Sequence, residues 1–250
     1  MYSPKVTIIT VCFNSEKTIE KTICSVLNQT YSNIEYIVKD GLSTDNTVSI
    51  VNRYKSKISC FISEKDKGIY HALNSALDKA SGEIIAILHS DDFFSSDKVI
   101  EKVVQTFAES NTDAVYGNLE YVKKNEDEKV VRKWISGKYK SGDFLLGWMP
   151  PHPSFFLKKK CYDTFGKFST QLKTAADYEL MLRMIHKHKI TLTYLNECLV
   201  KMRMGGNSNS SIKNRLNANL EDREAWKLNQ IKPYFFTLWL KPFRKISQFF

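Results

Sequence analysis

Asp91 and Asp92 stand side by side in the segment IIAILHSDDFF, residues 84–94. A mostly apolar run leads into His89 and Ser90, so the two carboxylates fall where a buried strand should end. Like charges that close repel, and burial worsens the repulsion unless a cation or a proton relieves it. A pair placed there suits a divalent cation, Mg2+ or Mn2+, held by carboxylate oxygens together with substrate phosphates. The alternative is a helix N-cap, because Asp favours helix starts and an amphipathic segment follows. Phe93 and Phe94 read as core.

Other residues could join this chemistry. Asp40, in VKDGLSTDNT, reads either as a turn residue beside Gly41 or as an acceptor for the N–H of a nucleobase. Asp45 reads as the cap of the next helix. Asp66, Lys67 and Gly68 stand just ahead of a helix start, where backbone amides favour phosphate and Lys67 would add charge; an ordinary loop is the alternative. Asn74 is polar beside an apolar stripe, which points to a hydrogen bond with backbone or ligand. Asp177, in KTAADYELMLR, has the chemistry of a general base but on pattern alone is an acid near a helix start. His152 lies among three prolines in GWMPPHPSFFL, in reach of an acceptor or simply structural.

The elements that must position these residues alternate. Residues 5–13, 34–40, 58–63 and 83–88 read as strands, and residues 15–29, 45–54 and 69–79 as helices. That spacing predicts an α/β fold with a mostly parallel sheet flanked by helices. Ligands bind such sheets beyond the carboxyl ends of the strands. The polar clusters FN, KDG, EKDKG and HSDD fall there. Further on, residues 99–107 and 174–188 read as helices and 113–122 and 154–157 as strands. Residues 123–129 read as a charged hairpin or loop and 202–211 as a polar loop. A basic helical extension begins near residue 212. The expected division is a main domain over 1–211, with a nucleotide part at about 5–118 and an acceptor part at about 119–211, followed by the tail at 212–250.

The chain of 250 residues carries a formal charge of +10, which implies an anionic partner. The lysines are scattered without interleaved aromatics, which argues against a nucleic-acid binder. No glycine-rich phosphate loop follows the first strand, which argues against a nucleotidyltransferase with one. Five scattered cysteines without a C-x-x-C pair suggest free thiols in a reducing compartment. No apolar stretch approaches the roughly 20 residues that span a bilayer. The expectation is a cytoplasmic protein.

TVCFNSEKTIEKTICSVLNQTYSNIEYIVKDGLSTDNT, EKDKGIYHALNSALDKASGEIIAILHSDD, PHPSFFLKK and AADYELMLR follow one another in an order and spacing that resembles glycosyltransferase family 2 over roughly residues 5 to 206. Within it the chain is most similar to bacterial enzymes that build capsule, O-antigen or exopolysaccharide units. The resemblance implies a GT-A fold and a hexosyltransferase-type enzyme. It places Thr10, Cys12, Phe13, Asn14 and Glu16 at the nucleotide pocket and Asp40 on the base, usually uracil. Ser90, Asp91 and Asp92 would bind metal and donor diphosphate, and Asp177 would be the base. Many relatives have Asp where this chain has His89, and Glu where it has Ala176.

The implied reaction is inverting transfer from a nucleotide-diphosphate sugar, UDP being the expected nucleotide, to a glycan or lipid-linked acceptor. The tail YFFTLWLKPFRKISQFF combines cations with aromatics, as a helix lying on a membrane surface does. The alternative is a tail packed on the domain or an oligomer contact.

Overall fold

The computed structural model describes residues 2–124, 126–205 and 212–244. β1 (Val6–Cys12) is buried at all seven positions, as its β-branched run predicts. α1 (Ile19–Leu27) buries Ile19, Thr22, Ile23 and Val26 on one face. β2 (Ile34–Asp40), α2 (Thr47–Arg53), β3 (Cys60–Ser63), α3 (Ile69–Lys79) and β4 (Ile84–Ile87) continue the alternation. The four strands pair in the order β3-β2-β1-β4, all parallel. This half follows the sequence reading closely.

The second half is mixed. It contains β5 (Asp92–Phe94), α4 (Val99–Ser110), β6 (Ala114–Lys123), β7 (Glu126–Trp134), β8 (Phe155–Lys158), α5 (Lys159–Phe165), α6 (Ala176–Met181), β9 (Leu192–Arg203), α7 (Ile212–Leu228) and α8 (Thr237–Arg244). The sheet continues β4-β8-β6-β9-β5, with β7 paired to β6. β8 runs antiparallel to both β4 and β6, β9 parallel to β6, and β5 antiparallel to β9. The charged stretch after residue 122 is the turn region of the β6–β7 hairpin. β9 was not anticipated: Asn196 and Glu197 interrupt its apolar pattern, and its pairing with β6 shifts register near Asn118. The polar loop expected at 202–211 falls partly in residues 206–211, outside the described residues, as does the tail beyond 244.

The strands' period of two divides the core between the faces. Ile9 and Val11 of β1 pack with α3, α5, α6 and α7, while Val6 and Ile8 pack with α1, α2 and α4. Ala225, Trp226 and Leu238 belong to the first of these cores. Ala225 and Trp226 of α7 and Leu238 of α8 therefore share one core with α3, α5 and α6, where a separate tail was expected. Gly147 shows how closely: a Cβ there would stand 2.6 Å from the Lys241 amide nitrogen of α8, and its φ of +78° also requires glycine.

Candidate active site

The segment after β4 divides the two adjacent aspartates. β5 is buried at all three positions: Asp92 is fully buried, and neither of its carboxylate oxygens has a hydrogen-bond partner. Burial, and then the charge of Asp91, hold its carboxyl well above the usual carboxylate range, with Arg203 opposing only in part. Asp91 stays partly exposed. Helix capping does not explain the pair, because the N-cap of α4 is Lys98. Asp92, expected as a metal ligand, is thus fully buried, while Asp91 keeps a partly exposed carboxylate.

Two anchors that the sequence did not advertise hold this turn. Thr22 Oγ1 donates to the Asp92 carbonyl at 2.7 Å. Arg203, at the end of β9, donates to the Asp91 carbonyl at 3.0 Å. Its remaining guanidinium edge forks onto Asp127, with two bonds of 2.7 Å. Ser90 reaches across the strand ends to Ser15, with 2.8 Å between hydroxyls. Among the described residues no group of three or more His, Cys, Asp or Glu side chains is arranged to hold a metal. One accessible carboxylate still fits a cation that arrives with phosphate oxygens, as Mg2+ does at phosphate sites.

Among the residues expected at the nucleotide pocket, some are exposed and others are buried or bonded to neighbouring turns. Phe13 is 62% exposed and offers an open ring beside Gly41, whose missing Cβ would sit 3.5 Å from that ring and 3.1 Å from Asp66 Oδ2. Thr10 is instead buried, accepting from Tyr36 Oη at 3.1 Å. Cys12 is buried with its thiol against Asp40 at 3.7 Å, and burial followed by that carboxylate raises its pKa. Asp40 accepts from Cys12 Sγ, the Ser43 amide and hydroxyl, and Ser63 Oγ. These bonds tie Asp40 into the turn after β2 and to the end of β3, and its side chain is fully buried. Asn14, at φ 48°, and Glu16 bond the Thr44 and Asn46 amides and brace the turn into α2. Asp45 was expected to cap α2, but the N-cap is Asn46; Asp45 sits one residue earlier and accepts from the Thr47 and Glu16 amides, at 2.9 and 3.1 Å. Asp66 pairs with the fully buried Lys39 at 2.9 Å, a lysine the sequence reading passed over. Lys67 is exposed just before α3.

At the acceptor end, Asp177 stands in the first turn of α6. Its Oδ1 accepts from Tyr70 Oη of α3 at 3.1 Å, and its Oδ2 lies 3.0 Å from His152 Nδ1. Burial alone would raise its carboxyl, but His152, Lys241 and Tyr70 together hold it well below the usual range. His152 begins a tight turn, His152–Ser154, held by Pro151 and Pro153. His89 meets His152 edge-on at 5.3 Å between ring centroids. Burial, then the neighbouring His152, push His89 down to about 4, while Asp91 and Asp177 pull it up. His89 therefore lies between Asp91 and the Asp177–His152 pair and is acted on by both carboxylates.

The C-terminal helices hold this end in place. Glu221 of α7 accepts from the amides of Lys173, Thr174 and Ala175, just ahead of α6. Trp226 Nε1 donates to Tyr178 Oη at 2.9 Å. Lys241 of α8 pairs with Asp222 at 2.6 Å and stands 3.6 Å over the Tyr178 ring. Asn74, flagged by the sequence, bonds both the amide and the carbonyl of Phe168, so its partner is backbone.

The family model for glycosyl transferase family 2 matches residues 7–175. The chain belongs to glycosyl transferase family 2. Its mixed sheet and flanking helices have the GT-A fold. The fold superposes on Staphylococcus aureus TarS 1-349 in complex with UDP-GlcNAc at a TM-score of 0.69 and 18% identity, covering 90% of this chain and 65% of that one. It also superposes on the Pyrobaculum calidifontis mannosyltransferase PcManGT, solved with GDP-Man and Mn2+, at 0.67 and 18%, covering 97% and 73%. Among related family members, the Escherichia coli UDP-Glc:alpha-D-GlcNAc-diphosphoundecaprenol beta-1,3-glucosyltransferase WfgD is 38% identical over 132 residues, 52% of this chain and 51% of that protein. WfaP, of the same description and organism, is 42% identical over 99 residues, 39% of each chain. The matched region thus spans about half the length of WfgD.

Proposed function

We propose that this family 2 chain transfers a sugar, with inversion, from a UDP-sugar to a hydroxyl of a lipid-linked glycan during bacterial surface polysaccharide synthesis. The observation that carries the reading is the cluster around His89: a partly exposed Asp91 on one side and the Asp177–His152 pair on the other. The donor class is supported by the UDP-Glc in the descriptions of WfgD and WfaP, and the acceptor class by their diphosphoundecaprenol.

Phe13 and Gly41 offer a flat, open surface for the base, with Asp66 at its edge. The α3 N-terminus and Lys67 supply positive potential for the phosphates. Asp91 would hold Mg2+ or Mn2+, which when bound neutralises charge on the leaving diphosphate. Arg203 and Thr22 keep the Asp91 turn in place for that task. The Asp177–His152 pair receives the proton of the acceptor hydroxyl as its oxygen attacks the anomeric carbon.

The tail supports attachment to a membrane surface near a lipid-linked acceptor. Phe235, Trp239 and Tyr234 are 92%, 67% and 53% exposed, and Phe235 and Tyr234 line a groove between α7 and α8 together with Arg223, Lys227 and Lys232. None of the described helices is long and apolar enough to cross a membrane, so contact would be peripheral. That fits action from the cytoplasmic face.

Thermal unfolding with a panel of nucleotide sugars, with and without Mn2+, tests the reading. UDP-sugars should raise the midpoint most, and Mn2+ should add to the shift in wild type but not in Asp91→Asn. A panel in which no nucleotide sugar shifts the midpoint overturns it.

A further inference from the structure

We propose that Asp127, just past the turn of the β6–β7 hairpin, is a positioning residue for the donor site: through Arg203 it fixes the backbone that carries Asp91, so that seating of the hairpin and metal-assisted donor binding are linked. This rests on the transferase reading above and adds a residue outside the motifs that carry it.

The contacts form a chain. Arg203 is buried at the end of β9. Its Nη1 donates to the Asp91 carbonyl at 3.0 Å, while Nε and Nη2 donate to the two Asp127 oxygens at 2.7 Å each. A guanidinium held by its fork on a carboxylate keeps one orientation, so Asp127 decides where the remaining N–H points. Lys21 of α1 closes the arrangement, with Nζ 3.4 Å from Asp127 Oδ2. Lys21 and Arg203 each place their charge 4.9 Å from the centre of the buried Phe93 ring, two residues after Asp91. Thr22, the residue after Lys21, holds the Asp92 carbonyl. The backbone of residues 91–93 is thereby tied to α1, to β9 and, through Arg203, to the hairpin.

The hairpin is shaped to deliver Asp127. Val122 pairs with Val130, and continuing that register would set Lys123 against Lys129. Instead Lys123 pairs with Glu126, so residues 127–129 are extra to the ladder. Such bulges bend a strand and re-aim its side chains. The aim matters because the Asp91 carboxylate gets little help: no group of three or more His, Cys, Asp or Glu side chains among the described residues is arranged to hold a metal. Fixing the Asp91 peptide beforehand orients that carboxylate and removes freedom that binding would otherwise have to take away. By linkage, a donor and metal that bind better when the hairpin is seated must in turn steady the hairpin.

The test measures UDP affinity by titration calorimetry, with and without Mn2+, for wild type, Asp127→Asn and Arg203→Lys, below the melting range of each. Arg203→Lys keeps the charge and loses the fork. In both variants the affinity gained from Mn2+ should fall about 10- to 100-fold, the usual effect of removing a partner behind a metal ligand, while UDP affinity without the metal is unchanged. The double variant should lose no more than either single one, because both act through one chain of contacts. Asp127→Glu, which keeps a charged fork partner, should recover part of the loss. A gain from Mn2+ equal to wild type in the folded variants overturns the proposal. So does a loss of the same size with and without Mn2+, which marks a damaged fold. In wild type, UDP with Mn2+ should slow amide hydrogen exchange across residues 126–134 more than UDP alone. No such slowing also overturns the proposal and needs no variant to fold, as does wild-type UDP binding that is indifferent to Mn2+. Failure of the transferase reading looks different: wild type then binds no UDP under either condition.

Discussion

Replacing Trp226 by Ala tests whether the C-terminal helices belong to the catalytic body. Trp226 is 1% exposed, and its indole N–H is spent on Tyr178 Oη at 2.9 Å. Truncating a buried Trp to Ala costs about 3–5 kcal/mol. For a chain of this size each kcal/mol moves the midpoint by about 2–4 °C, so a drop of about 6–20 °C is expected. Trp226→Phe keeps most of the apolar volume and loses chiefly the hydrogen bond, worth about 0.5–1.5 kcal/mol, so its drop should be several-fold smaller. Tyr178 follows Asp177 in the same turn of α6, so the Ala variant should also lose kcat more than it raises KM. Circular dichroism melts and steady-state kinetics at one pH make the comparison. A Trp226→Ala midpoint within about 2 °C of wild type would refute the packing argument. So would a chain ending at residue 211 that melts like the full-length protein.

Other outcomes follow from the same contacts. Arg203 holds the Asp127 carboxyl below its usual range, against the effect of its own burial. A pKa lower in the folded than in the unfolded chain adds stability above about pH 3.9 and loses it as pH falls through the folded value. Asp127→Asn should therefore cost about 1.5–3 kcal/mol in urea unfolding at pH 7, with the gap closing toward pH 2; a gap constant with pH would count against the ion pair. Replacing Phe235 and Trp239 together by Ser should sharply lower sedimentation with anionic phospholipid vesicles while leaving the melting midpoint nearly unchanged, because both rings are exposed. Equal vesicle binding by that variant and wild type would dispose of the tail as a membrane contact.

Much of the first half was legible because its determinants are local. β-branched runs, helical stripes and turn residues recur at short range, and they predicted the four parallel strands and the polar clusters at their ends. The ordered motifs also carried the family. Side-chain direction was not legible. Asp40 reads either as a turn residue or as an acceptor for a base; its partners Ser43, Ser63 and Cys12 come together only once β2 and β3 pair. Thr10 falls within a motif expected to line the pocket, yet strand alternation turns it into the core under Tyr36.

Two adjacent carboxylates, a histidine among prolines and an acid before a helix were present in the sequence, and it alone determined that these chemical groups exist and in what order. Which of the aspartates is buried and which stays partly exposed was decided by β5 pairing with β9, some 110 residues later. That pairing buries Asp92 and brings Arg203 to the Asp91 carbonyl. The bond from His152 to Asp177 and the brace from Glu221, Trp226 and Lys241 are likewise contacts between distant segments. Pattern along a chain reports local backbone preference and which face is apolar. Hydrogen-bond partners and burial, which set whether a carboxylate is ligand, base or scaffold, exist only after the sheet has closed and the C-terminal helices have docked.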